Sequence, residues 1–281
     1  MPNQKRILIV NDDGLHSSGM LHLEQELCKD FEVWAVCPDR ERSATSQAIT
    51  IRETLRLSHI KGRHYHLNGF PADCVNIGLF SGLFPKFDLV VSGINHGVNL
   101  GDDIHFSGTV GAARTAAIHD HLAIAMSSAN IDQQGDFRRP AKWLRQFLKH
   151  HFDDLKFDTV YNINYPLESD NTGYDAELPG ADVTFHGRRV YHDGYELLEE
   201  TVKVERAALS ANAAENRSNE PVLPIEGRSV VLRLTGTAMG YKPDTGSDFE
   251  TVENGKVSIT PLSLRTFDSA EIADLRRVSK L

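Results

Sequence analysis

The chain opens its regular structure with a short apolar run that ends in two adjacent acids. Ile7-Leu8-Ile9-Val10 is followed directly by Asn11-Asp12-Asp13-Gly14, which predicts a buried β-strand with the acids at its carboxyl end, where open α/β sheets hold their ligands. Two buried neighbouring carboxylates repel each other and lose hydration, so they need a cation or a shared proton. A solvated Asp-Asp-Gly turn is the alternative, because both residue types are common in turns. These four residues alone leave both interpretations open.

Strand-like runs alternate with amphipathic helical patterns through the first half of the chain. This alternation is typical of βαβ units and a mainly parallel sheet. We expect strands at Ile7–Val10, Glu32–Cys37, Asp88–Ser92, Ala123–Ser127 and Thr159–Asn164, a β-ribbon or edge strand within 48–60, and helices that include Met20, Leu23 and Leu27, run from Pro71 to about Leu83, start near Thr109 and cover 137–151. Thr159–Asn164 is expected to be the last strand of the main sheet. The predicted fold class is α/β, a Rossmann-like sheet with helices on both faces.

The last third of the chain has weaker periodicity. Residues 168–228 are rich in charge, Gly, Asn and Ala, and strand-like runs recur at Val202–Val204, Val230–Leu234 and Val257–Thr260. No low-complexity linker divides the sequence. We therefore expect one α/β domain over residues 1–281, with a core of residues 1–167 that carries the site and a β-rich extension of residues 168–281.

Composition excludes several classes of function. The net charge of -9 argues against binding of a nucleic-acid polymer, which normally needs clustered Lys and Arg. Cys28, Cys37 and Cys74 are an odd number without C-x-x-C spacing, so neither a disulfide framework nor a zinc knuckle is indicated. The apolar run after Lys5-Arg6 is too short for a signal peptide, and no later stretch is long enough to span a bilayer. We expect a cytoplasmic protein that does not bind membranes.

A second polar motif, Ser92–Asp103 (S-G-I-N-H-G-V-N-L-G-D-D), directly follows the predicted strand Asp88–Ser92. It supplies glycines for close backbone approach, the side-chain amides of Asn95 and Asn99, and two more acids. Such oxygen ligands suit Mg²⁺, Mn²⁺ or Ca²⁺ better than zinc. The alternative is a Gly-rich turn capped by Asn side chains.

Two further segments carry hydroxyl groups. Ser107-Gly108-Thr109 precedes an Ala-rich helical pattern, and the free N–H groups of that helix end could hold a phosphate. Ser and Thr are also common N-caps, and this stretch alone is more often a cap than an anion site. The loop 38–46, with Ser43, follows the second predicted strand. Taken alone, it would be an ordinary solvated loop.

Together these motifs resemble the SurE family of survival protein E nucleotidases. The matching segments, in chain order, are Ile7–Gly14, Pro38–Ser43, Asn68–Val75, Val91–Asn95, Asn99–Asp103 and Ser107–Ala113, with a weaker match at Ser258–Leu262. They cover the first half of the chain densely and reach almost to its C-terminus. Separate motifs in a fixed order argue strongly against chance similarity.

The resemblance implies a divalent-metal-dependent phosphomonoesterase. Its substrates would be nucleoside 5′-monophosphates, with 3′-monophosphates left open, hydrolysed by metal-activated water to nucleoside and phosphate. By the family's pattern, one Mg²⁺, Mn²⁺ or Ca²⁺ per subunit is held by Asp12, Asp13, Ser43 and Asn95, catalysis depends on Asp12 and Asp13, and the phosphate lies near Asn99, Ser107, Gly108 and Thr109. The resemblance also implies a homodimer or homotetramer that exchanges residues 168–281 between subunits.

The chain departs from the family pattern at three positions. Phe70 replaces a usual Thr, Phe106 a usual Tyr, and His96 stands where a small residue is common. These changes could alter base preference or pocket shape, and they leave the implied ligands intact. Which of Asp12 and Asp13, if either, also acts as a general base is left open.

Two other classes of protein also place acids after a first strand. A haloacid-dehalogenase-like phosphatase needs a second acid two residues after its nucleophilic aspartate, but Gly14 and Leu15 occupy those positions. A phosphorylation-switched receiver domain needs an acceptor Asp at the end of a later strand, whereas Asp88 begins its predicted strand. Both patterns fit the sequence poorly, and release of phosphate from a nucleotide would separate these interpretations.

Overall fold

The computed structural model describes residues 4–169, 172–191, 194–200, 230–235 and 240–264. The strands are β1 (Arg6–Val10), β2 (Glu32–Pro38), β3 (Leu57–Lys61), β4 (His64–Leu67), β5 (Leu89–His96), β6 (Leu122–Ser128), β7 (Thr159–Tyr165), β8 (Ala181–Val183), β9 (Arg188–Val190), β10 (Tyr195–Glu200), β11 (Val230–Leu234), β12 (Gly240–Lys242) and β13 (Val257–Ser263). The helices are α1 (Ser18–Leu27), α2 (Pro71–Phe80), α3 (Gly108–Ile118), α4 (Arg138–His151) and α5 (Asp248–Glu253), with 3-10 turns at Gly101–His105 and Phe152–Asp154.

The main sheet has the strand order β3-β4-β2-β1-β5-β6-β7-β13-β8. The strands from β4 to β7 in this order are all parallel to their neighbours, whereas β3 runs antiparallel to β4, and β13 runs antiparallel to β7. From β1 the chain continues to β2 on one side, and from β5 it continues to β6 and β7 on the other. The strand order therefore reverses between β1 and β5, and ligands of open α/β sheets bind at the carboxyl ends of such a pair.

The side chains of β1 alternate in direction, so both faces of the sheet present apolar side chains, and helices cover both faces. Ile7 and Ile9 belong to a core shared with α1 and α4, while Leu8 and Val10 belong to a second core shared with α2 and α3. All four side chains are fully buried. The predicted Rossmann-like α/β class, with helices on both faces of a mainly parallel sheet, is confirmed.

One local prediction was wrong, and another is confirmed only in part. β7 is not the last strand, because β13 pairs with its outer edge and β8 pairs with β13. Within 48–60, β3 begins at Leu57 and is an edge strand of the main sheet, whereas 48–56 forms no strand. Ile49 and Ile51 are exposed, and the Thr50 N–H donates to the Asp73 carboxylate at the start of α2. The Thr50 N–H is therefore paired with a side chain and not with a neighbouring strand. The alternation of apolar residues in this segment does not reflect burial in a sheet.

The chain divides into two compact units, Met1–Arg188 with Pro243–Leu281 and Arg189–Lys242. In the smaller unit, β10 pairs antiparallel with β11, and β9 pairs with β12. The predicted strand Val230–Leu234 is β11, whereas Val202–Val204 lies outside the described residues. Within the described ranges, no helix is long and apolar enough to cross a membrane. The predicted division into a core of 1–167 and an extension of 168–281 stays a prediction.

Replacement of Gly19 by alanine tests how tightly α1 packs on the sheet. A Cβ at position 19 would lie 2.1 Å from the carbonyl oxygen of Ile94 in β5. Alanine normally stabilises a helix by about 0.5–1 kcal/mol relative to glycine, but here we expect Gly19→Ala to lower the free energy of unfolding by about 1–3 kcal/mol, because the backbones must separate. Urea unfolding measures this change.

Gly180→Ala is the matched control, since a Cβ there meets no atom within 4 Å. It should change stability by less than about 1 kcal/mol. A Gly19→Ala protein as stable as the unaltered chain would contradict the close contact between α1 and β5.

Candidate active site

Asn11 builds the turn that carries the two acids out of β1. Its fully buried side chain donates to the Gly14 carbonyl and to Ser17 Oγ, both at 2.9 Å, and accepts from the Gly14 N–H at 3.2 Å. Gly14 has φ = 96°, a left-handed conformation that favours glycine. The sequence analysis did not assign this role to Asn11. The Asn-x-x-Gly spacing, which is typical of a side-chain-stabilised turn, was the available signal.

Asp12 lies at the N-terminus of α3. Thr109 donates to it twice, from Oγ1 to Oδ1 at 2.5 Å and from its backbone N–H to Oδ2 at 3.2 Å. The N-terminus of a helix carries partial positive charge, which stabilises a carboxylate there. Gly108 permits this approach, because a Cβ at that position would lie 2.9 Å from Asp12 Oδ2. Asp12 therefore already uses two of the donors that the sequence assigned to a phosphate.

Asp13 points away from α3 and faces His96 at the end of β5. Its Oδ1 lies 3.6 Å from His96 Nδ1, and its buried Oδ2 has no hydrogen-bond partner among the described residues. A cleft of about 220 Å³ opens beside it. The cleft is lined by Asp13, Gly14, Leu15, His16, Ser17, Asp39, Arg40, Glu41, His96, Gln133 and Gln134. Asp13 is thus the predicted acid that borders open space.

Both carboxyl groups lie in surroundings that disfavour ionisation. Burial raises the pKa of Asp12, although its hydrogen bonds from Thr109 oppose this rise. Burial, then the negative charges of Asp12 and Glu41, raise the pKa of Asp13 from 3.8 to about 7. Two ionised acids here repel each other and lack hydration, so a nearby positive charge would stabilise them.

Asn95, another predicted ligand, is linked to Asp12 because both accept a hydrogen bond from Thr109. Its Oδ1 accepts from Thr109 Oγ1 at 3.3 Å, and its Nδ2 donates to the Gly97 carbonyl at 2.8 Å. The oxygen of the side chain is thereby directed towards Thr109 and Asp12. The structure brings Asp12, Asp13 and Asn95 together from two adjacent strand ends, β1 and β5.

Ser43 lies on the exposed loop after β2, and its hydroxyl donates to Glu41 Oε1 at 2.7 Å. The loop is held against the site by backbone hydrogen bonds from Arg42 to the Asp12 carbonyl at 2.7 Å and from Ser46 to the Phe106 carbonyl at 2.8 Å. Glu41 was not a predicted site residue. It lies in the same P-D-R-E-R-S motif as Ser43, which was the available signal.

The remaining predicted residues are Asn99 and Ser107. Asn99 is buried, and its side chain donates to Ser127 Oγ at 2.8 Å while its N–H donates to Asn164 Oδ1 at 2.8 Å. Ser107 caps α3 by accepting from the Val110 N–H at 3.1 Å. Both residues are therefore fixed by the protein itself, and Ser107 has the capping role that the sequence analysis weighed against phosphate binding.

A buried acid from the last third of the chain holds the loop that follows Asn99. Asp248 accepts hydrogen bonds from the N–H groups of Gly101, Gly187 and Phe249 at 2.8 to 2.9 Å. Burial raises its pKa. Nothing in the sequence near Asp248 identified this contact, because its partners lie far away along the chain.

The site's donors suit a hard cation. Two carboxylates, an amide oxygen and a hydroxyl are the ligands that Mg²⁺, Mn²⁺ and Ca²⁺ accept, and Asp13 Oδ2 is an unpaired buried acceptor. Within the described ranges, no three His, Cys, Asp or Glu side chains converge in an arrangement that could hold a metal ion. A cation here would therefore depend on the two acids and on further donors that complete the site.

Comparison with known proteins agrees with the motifs. A family model described as survival protein SurE matches residues 7–193. A protein named 5′-nucleotidase SurE from Leptospira interrogans (serogroup Icterohaemorrhagiae serovar copenhageni, strain Fiocruz L1-130) is 40% identical over 269 residues, which cover 96% of each chain. A protein of the same name from Geobacter sulfurreducens is 35% identical over 272 residues, 96% of this chain and 92% of that one.

The fold comparison gives the same result. The crystal structure of the SurE protein from Aquifex aeolicus superposes with a TM-score of 0.75 at 29% sequence identity, covering 98% of this chain and 99% of that one. Both the sequence and the fold thus match over nearly the whole length. The chain belongs to the SurE family.

Proposed function

We propose that this protein hydrolyses nucleoside 5′-monophosphates to nucleoside and phosphate, with a divalent cation bound at Asp12 and Asp13. The observation that carries the proposal is the pair of buried acids at the point where the strand order reverses, with their pKa values raised. The names of the relatives, 5′-nucleotidase SurE, support the reaction. Nucleoside 3′-monophosphates are a second proposed substrate class. Family membership favours this function over a receiver domain or a haloacid-dehalogenase-like phosphatase.

One Mg²⁺, Mn²⁺ or Ca²⁺ per subunit is the proposed cofactor. Asp12, Asp13 and Asn95 would hold it, with Ser43 from the loop after β2. Ser43 would have to exchange its present hydrogen bond to Glu41 for the cation. When bound, a divalent cation polarises phosphoryl oxygens and lowers the pKa of bound water from about 15.7 towards neutrality.

The start of α3 is proposed to bind the phosphate. Ser107, Gly108 and Thr109 form the first turn of this helix, whose positive end favours an anion. Asn99 lies in the adjacent loop, held by its hydrogen bonds to β6 and β7. Fixed dipoles that face the transferring phosphoryl group stabilise its charge without rearranging during the reaction.

The proposed location is the cytoplasm, and the proposed assembly is a homodimer or homotetramer. All three cysteines are free, which suits a reducing compartment. Strands β10 and β11 form a two-stranded sheet with exposed apolar side chains at Tyr195, Leu232 and Leu234. Such a ribbon is marginally stable by itself, which supports the proposed exchange of residues 168–281 between subunits.

Chelation followed by metal replacement tests the proposed function. Protein stripped of divalent cations should release no phosphate from a panel of nucleoside 5′- and 3′-monophosphates, and addition of Mg²⁺, Mn²⁺ or Ca²⁺ should restore release from at least one of them. Free phosphate measured by a colorimetric assay is the readout. If no cation restores activity, or if the stripped protein is fully active, the proposed metal-dependent reaction is wrong.

Asp13→Asn tests the assignment of the acids. The amide keeps the size of the side chain but loses the negative charge that a cation requires. We expect phosphate release to fall by more than about 100-fold, since even residues that only support metal ligands contribute about 10–100-fold. Asp153→Asn is the matched control because the Asp153 side chain is 92% exposed and far from this site in the fold. Turnover retained by Asp13→Asn with added Mn²⁺ would contradict the assignment.

The raised pKa of Asp13 predicts how stability depends on pH when cations are removed. The folded protein keeps this carboxyl protonated up to about pH 7, while the unfolded chain ionises near 3.8. The stability therefore falls as pH rises between these values, and the loss is complete above them. Asparagine cannot ionise, so Asp13→Asn should exceed the unaltered protein in stability by up to about 4 kcal/mol at about pH 8, and by less than about 1 kcal/mol at about pH 4.

Urea unfolding in the presence of a chelator measures this difference at the two pH values. Asp153→Asn, as before, should show no comparable dependence on pH. A stability difference between Asp13→Asn and the unaltered protein that stays constant with pH would contradict the raised pKa.

A further inference from the structure

His96 is a buried polar side chain without a polar partner. It is the last residue of β5, and its side chain is 6% exposed. Neither ring nitrogen has a hydrogen-bond partner among the described residues. The ring packs against buried Phe137 at a tilt of 37°, with ring centroids 4.9 Å apart. The imidazole is thus fixed in position while both of its polar atoms remain unpaired.

Packing alone does not explain a histidine at this position. A buried polar atom without a partner is destabilising. A hydrocarbon ring would pack on Phe137 equally well and would avoid that cost. The nitrogen atoms are therefore available to a partner that is not part of the described chain.

Asp13 does not pair with these nitrogen atoms by a direct hydrogen bond. The distance of 3.6 Å from His96 Nδ1 to Asp13 Oδ1 exceeds the usual range of about 2.7–3.2 Å. Two atoms that each bind one ion at about 2.0–2.2 Å lie no more than about 4.4 Å apart, so this spacing leaves room for a shared cation.

The position of the pair supports the same interpretation. Asp13 and His96 both line the cleft of about 220 Å³, whereas Asp12 directs both of its oxygens to Thr109. Asp13 Oδ2 is a further unpaired acceptor. The cleft is therefore bordered by an oxygen donor and a nitrogen donor from different strand ends, with open space left beside them.

We propose that His96 supplies a nitrogen ligand to the same cation as Asp13, and that it shifts the metal preference of this site towards ions that accept imidazole. Imidazole suits Co²⁺, Ni²⁺ or Zn²⁺, whereas Mg²⁺ and Ca²⁺ take oxygen ligands. The inference rests on the proposed function only in requiring a cation at Asp13. It makes His96 a determinant of metal specificity.

Pulsed electron paramagnetic resonance of bound Mn²⁺ tests the ligand directly. The full chain is stripped of cations, loaded with Mn²⁺, and compared with the same protein carrying ¹⁵N-labelled histidine, which requires no substitution. A histidine nitrogen coupling that changes with the isotope is expected. His96→Phe keeps an aromatic ring packed against Phe137 and should lose the coupling. His16→Ala removes the exposed histidine that lines the same cleft and should retain it.

Metal affinity provides a second measurement. In calorimetric titrations, His96→Phe should weaken Co²⁺ binding at least about 10-fold relative to Mg²⁺ binding, because only the ion that accepts imidazole loses a ligand. Thermal unfolding checks that the variant is folded. Equal weakening of both ions, or a nitrogen coupling that persists in His96→Phe, would overturn the proposal.

The outcomes also separate this proposal from the proposed function. If Mn²⁺ binds and phosphate is released but the unaltered protein shows no nitrogen coupling, only the role of His96 is wrong. If Mg²⁺ or Ca²⁺ binds and restores phosphate release while neither Mn²⁺ nor Co²⁺ binds, only the role of His96 is wrong, and if no divalent cation binds the stripped protein, both proposals fail. If the coupling is present but no nucleotide is hydrolysed, His96 is a ligand and the proposed function fails.

Discussion

The contact between the Asp12 carboxylate and the first turn of α3 organises the rest of the site. Through Thr109 it joins the end of β1 to the start of α3, and the same hydroxyl reaches Asn95 at the end of β5. The helix end offsets part of the cost of burying this acid. Asp13 is supported by a backbone hydrogen bond from His96 and by no helix end, and burial with the charges of Asp12 and Glu41 raises its pKa, so the two adjacent acids have different environments. Asp12 joins the elements, and Asp13 faces the cleft.

The loops around this contact are held by residues distant in the sequence. Asn99 is fixed by Asn162 and Asn164 of β7, which donate to its carbonyl at 2.8 and 3.1 Å. Asp248 of α5 holds Gly101 of the same segment. The loop after β2 is bound to the segment just before α3, since its Ser46 N–H donates to the Phe106 carbonyl. Loops that carry functional residues are therefore positioned by hydrogen bonds to rigid strands and helices.

Much of the fold and part of the site could be predicted because the relevant signals are local. The apolar run Ile7 to Val10 predicts β1, and Pro71 and Ser107 mark the starts of α2 and α3 as the structure has them. Asp12, Asp13 and Asn95 follow strands, so their meeting at one sheet edge follows from parallel pairing. Pairing between β7 and β13 could not be predicted, because it depends on contact between segments nearly a hundred residues apart.

The same limit applies to individual side chains. The nitrogens of His96 lack partners among the described residues because of where the ring packs against Phe137. Burial, with the charges of Asp12 and Glu41, raises the pKa of Asp13. These are properties of packing, which no spacing in the sequence encodes. The sequence proposed residues for the candidate site, whereas the structure distinguished their environments.

The close approach of α1 to β5 determines how rigid this site is. Asn11 donates to Ser17, which caps α1, and Gly19, two residues later in the first turn, lies against the Ile94 carbonyl. The two strand ends that carry the acids and Asn95 are thus braced by backbone packing through a single helix. A ligand that enters meets donors whose spacing is already set, so little reorganisation energy is required. Ions too large or too small for that fixed spacing would bind less well, which adds discrimination by ionic radius to discrimination by ligand type.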